Sequence, residues 1–261
     1  MFFINEVIEI EFSGFYIFKK KDIYYQVTGQ GFPVVFLHGN GEDHYIFDQA
    51  VNLLSKQYQC ICIDSRYHGR SVHAGELSYQ QMCQDVMAVM DELNITAYDV
   101  IGFSDGGIVS LMLGMQDSRL KHIVSIGANT KPRYIKRFYR LTFYLQMICL
   151  AIFSIYQKKA RLTFRLYKLM LTQPQIEYKQ LQQIHVPVLV LAGEFDMIDA
   201  KDTNHIGESL PYGIVKIIQH GNHFLLRDAF QETVKEISLF LEACHQEENY
   251  ECMSSSTIED R

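Results

Sequence analysis

The run Val100-Ile101-Gly102-Phe103-Ser104-Asp105-Gly106-Gly107 decides the fold of this chain. Tyr98 to Phe103 is short and rich in aromatic and β-branched residues, whereas Ile108 to Met115 is apolar and unbroken. The pattern predicts a serine on the turn between a strand and a helix. Gly102 and Gly106 stand two residues to either side of Ser104, where a Cβ would collide with neighbouring backbone, and Gly107 lets the helix pack close to the strand. Such a turn holds the hydroxyl out of the sheet edge. It also aims the first amides of the helix at the same spot, where negative charge is favoured.

On either side of this turn, strand-like stretches recur at Glu9 to Phe12, Phe15 to Lys19, Ile23 to Thr28, Pro33 to Leu37, Gln59 to Ile63, Asp99 to Phe103, His122 to Ile126, Val186 to Leu191 and Ile214 to Ile218. From Pro33 onward they are nearly continuous apolar runs, as strands buried on both faces must be. Helical patterns alternate with several of them. Ser78 with Gln81 makes a capping box ahead of Met82, Val86, Val89, Met90 and Leu93, and Phe230, Val234, Ile237 and Leu241 stripe the last helix. The expected fold is α/β: a mostly parallel sheet with helices on both faces, whose ligands gather at the carboxyl ends of the strands. Residues 1–127 and 185–245 would form this core, with 246–261 an acidic, serine-rich tail expected to be disordered.

The alternation breaks between residues 128 and 184, read as an inserted helical cap. No Asp or Glu occurs from Asp117 to Glu177, yet this stretch of the insertion holds ten Lys and Arg residues, so the rest of the chain is far more acidic than the overall −6. Tyr134, Phe138, Leu141, Leu145, Ile148, Ile152 and Ile155 recur at spacings of three and four and predict an amphipathic helix. Its stripe is expected to cover the site, with its charges in water or facing the acidic body. The competing reading is attraction to an anionic membrane surface or an anionic substrate. Leu141 to Tyr156 falls short of the roughly 20 residues that span a bilayer.

Composition narrows the classes. Six cysteines without C-x-x-C spacing suggest neither a disulfide framework nor a zinc site. The N-terminus carries Glu6, Glu9 and Glu11 and no basic leader, which points to cytoplasmic residence. No recognition module for nucleic acid is present, no metal or cofactor is implied, and no feature specifies an oligomeric state. His38 and His68 precede glycines in turns and read as structural; His68 and His73 lack the geometry of a metal site.

A serine hydroxyl needs a general base, usually a histidine oriented by a carboxylate. Ala192-Gly193-Glu194-Phe195-Asp196 follows one strand, and Gln219-His220-Gly221-Asn222-His223-Phe224 follows another, both on the rim of Ser104. Asp196 is preferred over Glu194 and Asp199, and His223 over His220, which sits too near its strand. Asp105 reads as a solvated helix-start residue, with contact to a cationic substrate group as the alternative.

From about Ile23 to Leu241 the chain resembles the α/β-hydrolase superfamily. His38-Gly39-Asn40-Gly41 is similar to its oxyanion loop, Asp64-Ser65-Arg66-Tyr67-His68-Gly69-Arg70-Ser71 to its D-x-R-x-H-G-x-S turn, and the order Ser104, Asp196, His223 to its triad. The resemblance implies acyl transfer to Ser104, with the amides of Asn40 and Asp105 as the oxyanion hole. The expected substrate is a carboxylic ester of small to medium acyl size. A thioesterase or acyltransferase, a small-amide peptidase, and a non-catalytic binding protein on the same fold are the alternatives.

Overall fold

The computed structural model describes residues 15–20, 23–71 and 75–256, with side chains over 23–71 and 75–246. The strand expected at Glu9 to Phe12 lies outside the described residues. Eight strands form one sheet in the order β1-β2-β4-β3-β5-β6-β7-β8. These are β1 (Phe15–Lys20), β2 (Ile23–Thr28), β3 (Phe32–Leu37), β4 (Tyr58–Ile63), β5 (Tyr98–Phe103), β6 (Leu120–Ile126), β7 (Val188–Gly193) and β8 (Gly213–Ile218). The pairings β1 with β2 and β2 with β4 are antiparallel, and every other pairing is parallel.

The period of two along each strand separates two cores. Val35, Leu37 and Val100 face one side, where they pack with Val86, Val89 and Met90 of α2 (Tyr79–Glu92) and with Leu111 of α3 (Asp105–Gly114). Val34, Phe36, Ile101 and Phe103 face the other, against Val51 and Leu54 of α1 (Asp48–Leu54) and Ile237 and Leu241 of α9 (Phe230–Ser256). Because helices cover both faces, the central strands are buried at every position, which is why they read as unbroken apolar runs. At the start of α2 the Ser78 hydroxyl caps the Gln81 amide at 3.3 Å, while the Gln81 carboxamide turns to Gln84, so only half of the capping box forms.

Between β6 and β7 stand α4 (Arg137–Phe153), α5 (Lys158–Thr172) and α6 (Tyr178–Leu181). Here the structure corrects two expectations. The apolar stripe of α4 does not cover the site: no residue of α4 is buried. The helix that packs inward is α5: Leu166 is buried, Leu169 joins the core of the sheet, and Met170 packs with Ile135 and Ile198. The second correction is at the tail, where α9 continues through Gln246 to Ser256 rather than ending near residue 245. No Gly or Pro interrupts this stretch, and its Glu, Gln and Met residues are good helix formers, so nothing stops the helix. The short α7 (Ala200–Ser209) and α8 (Leu225–Asp228) complete the layers. No helix among the described residues is long and apolar enough to cross a membrane.

Candidate active site

Four parallel strands deliver the site to one rim. Ser104 follows β5, Asn40 follows β3, Asp196 follows β7 and His223 follows β8. Ser104 has φ 53° and ψ −111°, a conformation L residues rarely adopt. Both flanking glycines are required by contact. A Cβ on Gly106 would lie 1.9 Å from the Leu37 carbonyl oxygen, and one on Gly102 would lie 2.1 Å from that of Gly106.

Three side chains form a hydrogen-bond chain. The Ser104 hydroxyl lies 3.0 Å from His223 Nε2, and His223 Nδ1 lies 2.8 Å from Asp196 Oδ1. Asp196 and His223 are buried, whereas Ser104 is partly open. Burial alone would raise the Asp196 carboxyl. Hydrogen bonds from His223 and the Ile198 amide outweigh it and hold the group below the usual carboxylate range. An ionised Asp196 accepts from Nδ1, leaving Nε2 to accept the serine proton. The rings of Phe103 and Phe224 lie 5.1 and 5.5 Å from that of His223.

Asn40 and Asp105 also meet here, by a link the sequence did not reveal. The Asn40 carboxamide donates to Asp105 Oδ2 at 2.9 Å and to the Leu166 carbonyl of α5 at 3.3 Å. The Tyr79 hydroxyl donates to Asp105 Oδ1 at 2.8 Å. Asp105 is therefore buried rather than solvated, because its two partners replace water. Burial nevertheless raises its carboxyl above the usual range, against both hydrogen bonds. The backbone amides of Asn40 and Asp105 make no hydrogen bond to any described residue. Asp105 directly follows Ser104 in the chain, and the Asn40 side chain is bonded to Asp105.

The remaining sequence candidates are structural. His38 Nδ1 donates to the Gly39 carbonyl at 2.8 Å and its Nε2 accepts from the Ser65 amide at 3.0 Å; burial pushes it down to about 4, so it stays neutral. His68 bonds the Arg66 carbonyl at 2.9 Å. Asp64 accepts from the His44 ring at 2.7 Å and from the amides of His44 and Arg70 at 2.9 and 2.7 Å, fixing its turn. Glu194 accepts from the His220 amide, Asp199 caps α7, and the His220 ring is exposed.

Two further residues were missed. Gly127, at φ +63°, lies against the His223 ring, where a Cβ would be 2.9 Å from Cε1. Glu42, part-buried, accepts from the Gly39 amide at 3.2 Å; burial pushes its carboxyl up to about 7, against the pull of that amide and of His223. Only its place in the HGNGED run, two residues after Asn40, could have flagged it. Away from this rim, Asp99 bridges His122 Nδ1 at 2.7 Å and His245 Nε2 at 2.8 Å; these atoms are close enough together to be metal-ligand candidates but are engaged in direct hydrogen bonds.

Comparison with known proteins agrees with this architecture. The family model described as alpha/beta hydrolase fold matches residues 33–147. The chain is 30% identical over 93 residues to 3-oxoadipate enol-lactonase 1 of Acinetobacter baylyi, covering 36% of this chain and 35% of that protein. It is 32% identical over 130 residues to the AB hydrolase superfamily protein YisY of Bacillus subtilis, covering 48% of each. The matched stretches thus span about a third to a half of these curated relatives. Among solved structures, an esterase from Exiguobacterium antarcticum superposes with a TM-score of 0.72 at 19% identity, over 84% of this chain and 95% of that one.

Proposed function

Because this chain belongs to the α/β-hydrolase superfamily, we propose that it is a serine hydrolase cleaving a carboxylic ester of small to medium acyl size through an acyl-Ser104 intermediate. The observation that carries this reading is the continuous chain Ser104–His223–Asp196, at 3.0 and 2.8 Å, on the rim where two backbone amides stand free. His223 Nε2 takes the hydroxyl proton as Oγ bonds to the ester carbonyl carbon, and the oxyanion is held by the amides of Asn40 and Asp105. Collapse breaks the bond to the alkoxy oxygen, which leaves as the alcohol with the proton from His223. Water then repeats the sequence and frees the acid. Asp196 holds the ring in the accepting tautomer and stabilises the imidazolium.

Two observations favour an apolar acyl group on an ester. Met197 and Ile198, next to the acid, pack with Ile135, Met170, Phe143 and Tyr167 in an apolar cluster over that turn. The matched relatives include an enol-lactonase and a diacylglycerol lipase of Xenopus laevis, both acting on esters by name. The test is turnover of nitrophenyl esters of increasing acyl length by the wild type and Asp196→Asn. Hydrolysis highest at short to medium chains, with kcat falling about 10⁴-fold in the variant, is expected. No turnover of any ester would exclude this activity and favour a binding protein.

A further inference from the structure

Helix α4 leaves its apolar face to the solvent. Phe138, Leu141, Leu145, Ile148 and Ile152, spaced by three and four residues, are each between 54 and 73% exposed, and Ile155 and Tyr156 extend the row at 68 and 85%. The principal packing partner of α4 is α5, through residues such as Phe143, whose ring lies 5.8 Å from that of Tyr167. A contiguous apolar surface of this kind marks an interaction site.

Its surroundings identify the partner. Arg133, Lys136, Arg137 and Arg140 stand at the start of α4, and Lys158, Lys159 and Arg161 follow its end. Both α4 and α5 begin with cations and no acidic residue in the first turn, although the helix dipole disfavours positive charge there. Among the described residues, none of these seven cations is ion-paired with a carboxylate. At the head of the stripe, Arg137, Phe138, Arg140, Leu141 and Tyr144 line an open depression of about 320 Å³.

We infer that this face docks onto an anionic phospholipid bilayer, the apolar row entering the headgroup boundary while the cations at both ends meet lipid phosphates. The 17-residue helix, about 26 Å long, suits lying in the interface plane and is too short to span it. A second copy fits less well, since α4 is flanked by cations at both ends and a two-fold dimer through it would set cations against cations of its mate whichever way the helices run. Docking would hold the lipid surface one packed layer above the Met197–Ile198 cluster beside Asp196.

The inference does not depend on the ester chemistry, so binding is measured separately from turnover. The full chain is sedimented with phosphatidylcholine vesicles, with and without phosphatidylglycerol. Strong co-sedimentation with the anionic vesicles alone is expected, weakening with salt. Arg137→Gln with Arg140→Gln should lower partitioning roughly tenfold or more. Leu145→Ser with Ile148→Ser should do the same while turnover of a short soluble ester is unchanged. Ser104→Ala, inactive on esters, should bind as the wild type does. Equal partitioning into both vesicle types, or none into either, overturns the inference. So does a dimer in light scattering that the Leu145→Ser, Ile148→Ser variant dissociates, which would assign the face to a second copy.

Discussion

At Ser104 the chain holds a residue where only glycine is at ease. Its φ of 53° with ψ of −111° is the mirror image of ordinary extended backbone, open to glycine and strained for serine. Ser104→Gly should therefore raise the unfolding free energy by on the order of 1 kcal/mol in urea denaturation while abolishing catalysis. A variant no more stable than wild type would show that the turn stores no strain. Glu42 gives a second prediction. Its folded carboxyl titrates near 7, above its unfolded value, so the native state keeps the proton longer. Stability is lost as pH rises through that window, by at most about 3 kcal/mol for this part-exposed group. Glu42→Gln should gain stability over wild type at pH 8 and little at pH 5; equal gains at both would refute the shift. What the sequence made legible at this scale was which side chains meet, namely Ser104, Asp196 and His223, because strand ends and chain order constrain them. Asp105 and Glu42 were not legible. The partners Asn40 and Tyr79 lie 65 and 26 residues from Asp105, and burial is a property of the assembled fold.

Among the elements, the described strands were read to within two residues, and the central ones stood out because burial on both faces leaves an unbroken apolar signature. Helix α4 shows the limit of the same approach. A stripe at helical spacing says that one face is apolar and does not say what it meets; here it meets solvent, and α5 lies over Asn40 instead. The two helices should differ accordingly. Leu166→Ala or Leu169→Ala in α5 should cost about 2–5 kcal/mol, whereas Leu145→Ser or Ile148→Ser in α4 should stay within about 0.5 kcal/mol. A comparable loss in α4, read by urea denaturation, would mean that its stripe is packed. Helix α9 ran past its expected end because composition suggested a tail where no stop signal existed.

For the whole molecule, the parallel part of the sheet decides where chemistry can occur. Parallel strands release their carboxyl ends on one rim, so loops far apart in sequence converge there: His223 comes from 119 residues beyond Ser104 and closes to 3.0 Å. The body of the chain holds Ser104, His223 and Asp196, whereas the basic insertion presents a cationic, apolar surface to solvent. If Ser104 is the nucleophile of this rim, a fluorophosphonate probe followed by peptide mapping should find one label, on Ser104, lost in Ser104→Ala and strongly slowed in His223→Ala; a label on another residue, or one that persists in Ser104→Ala, would overturn the proposal.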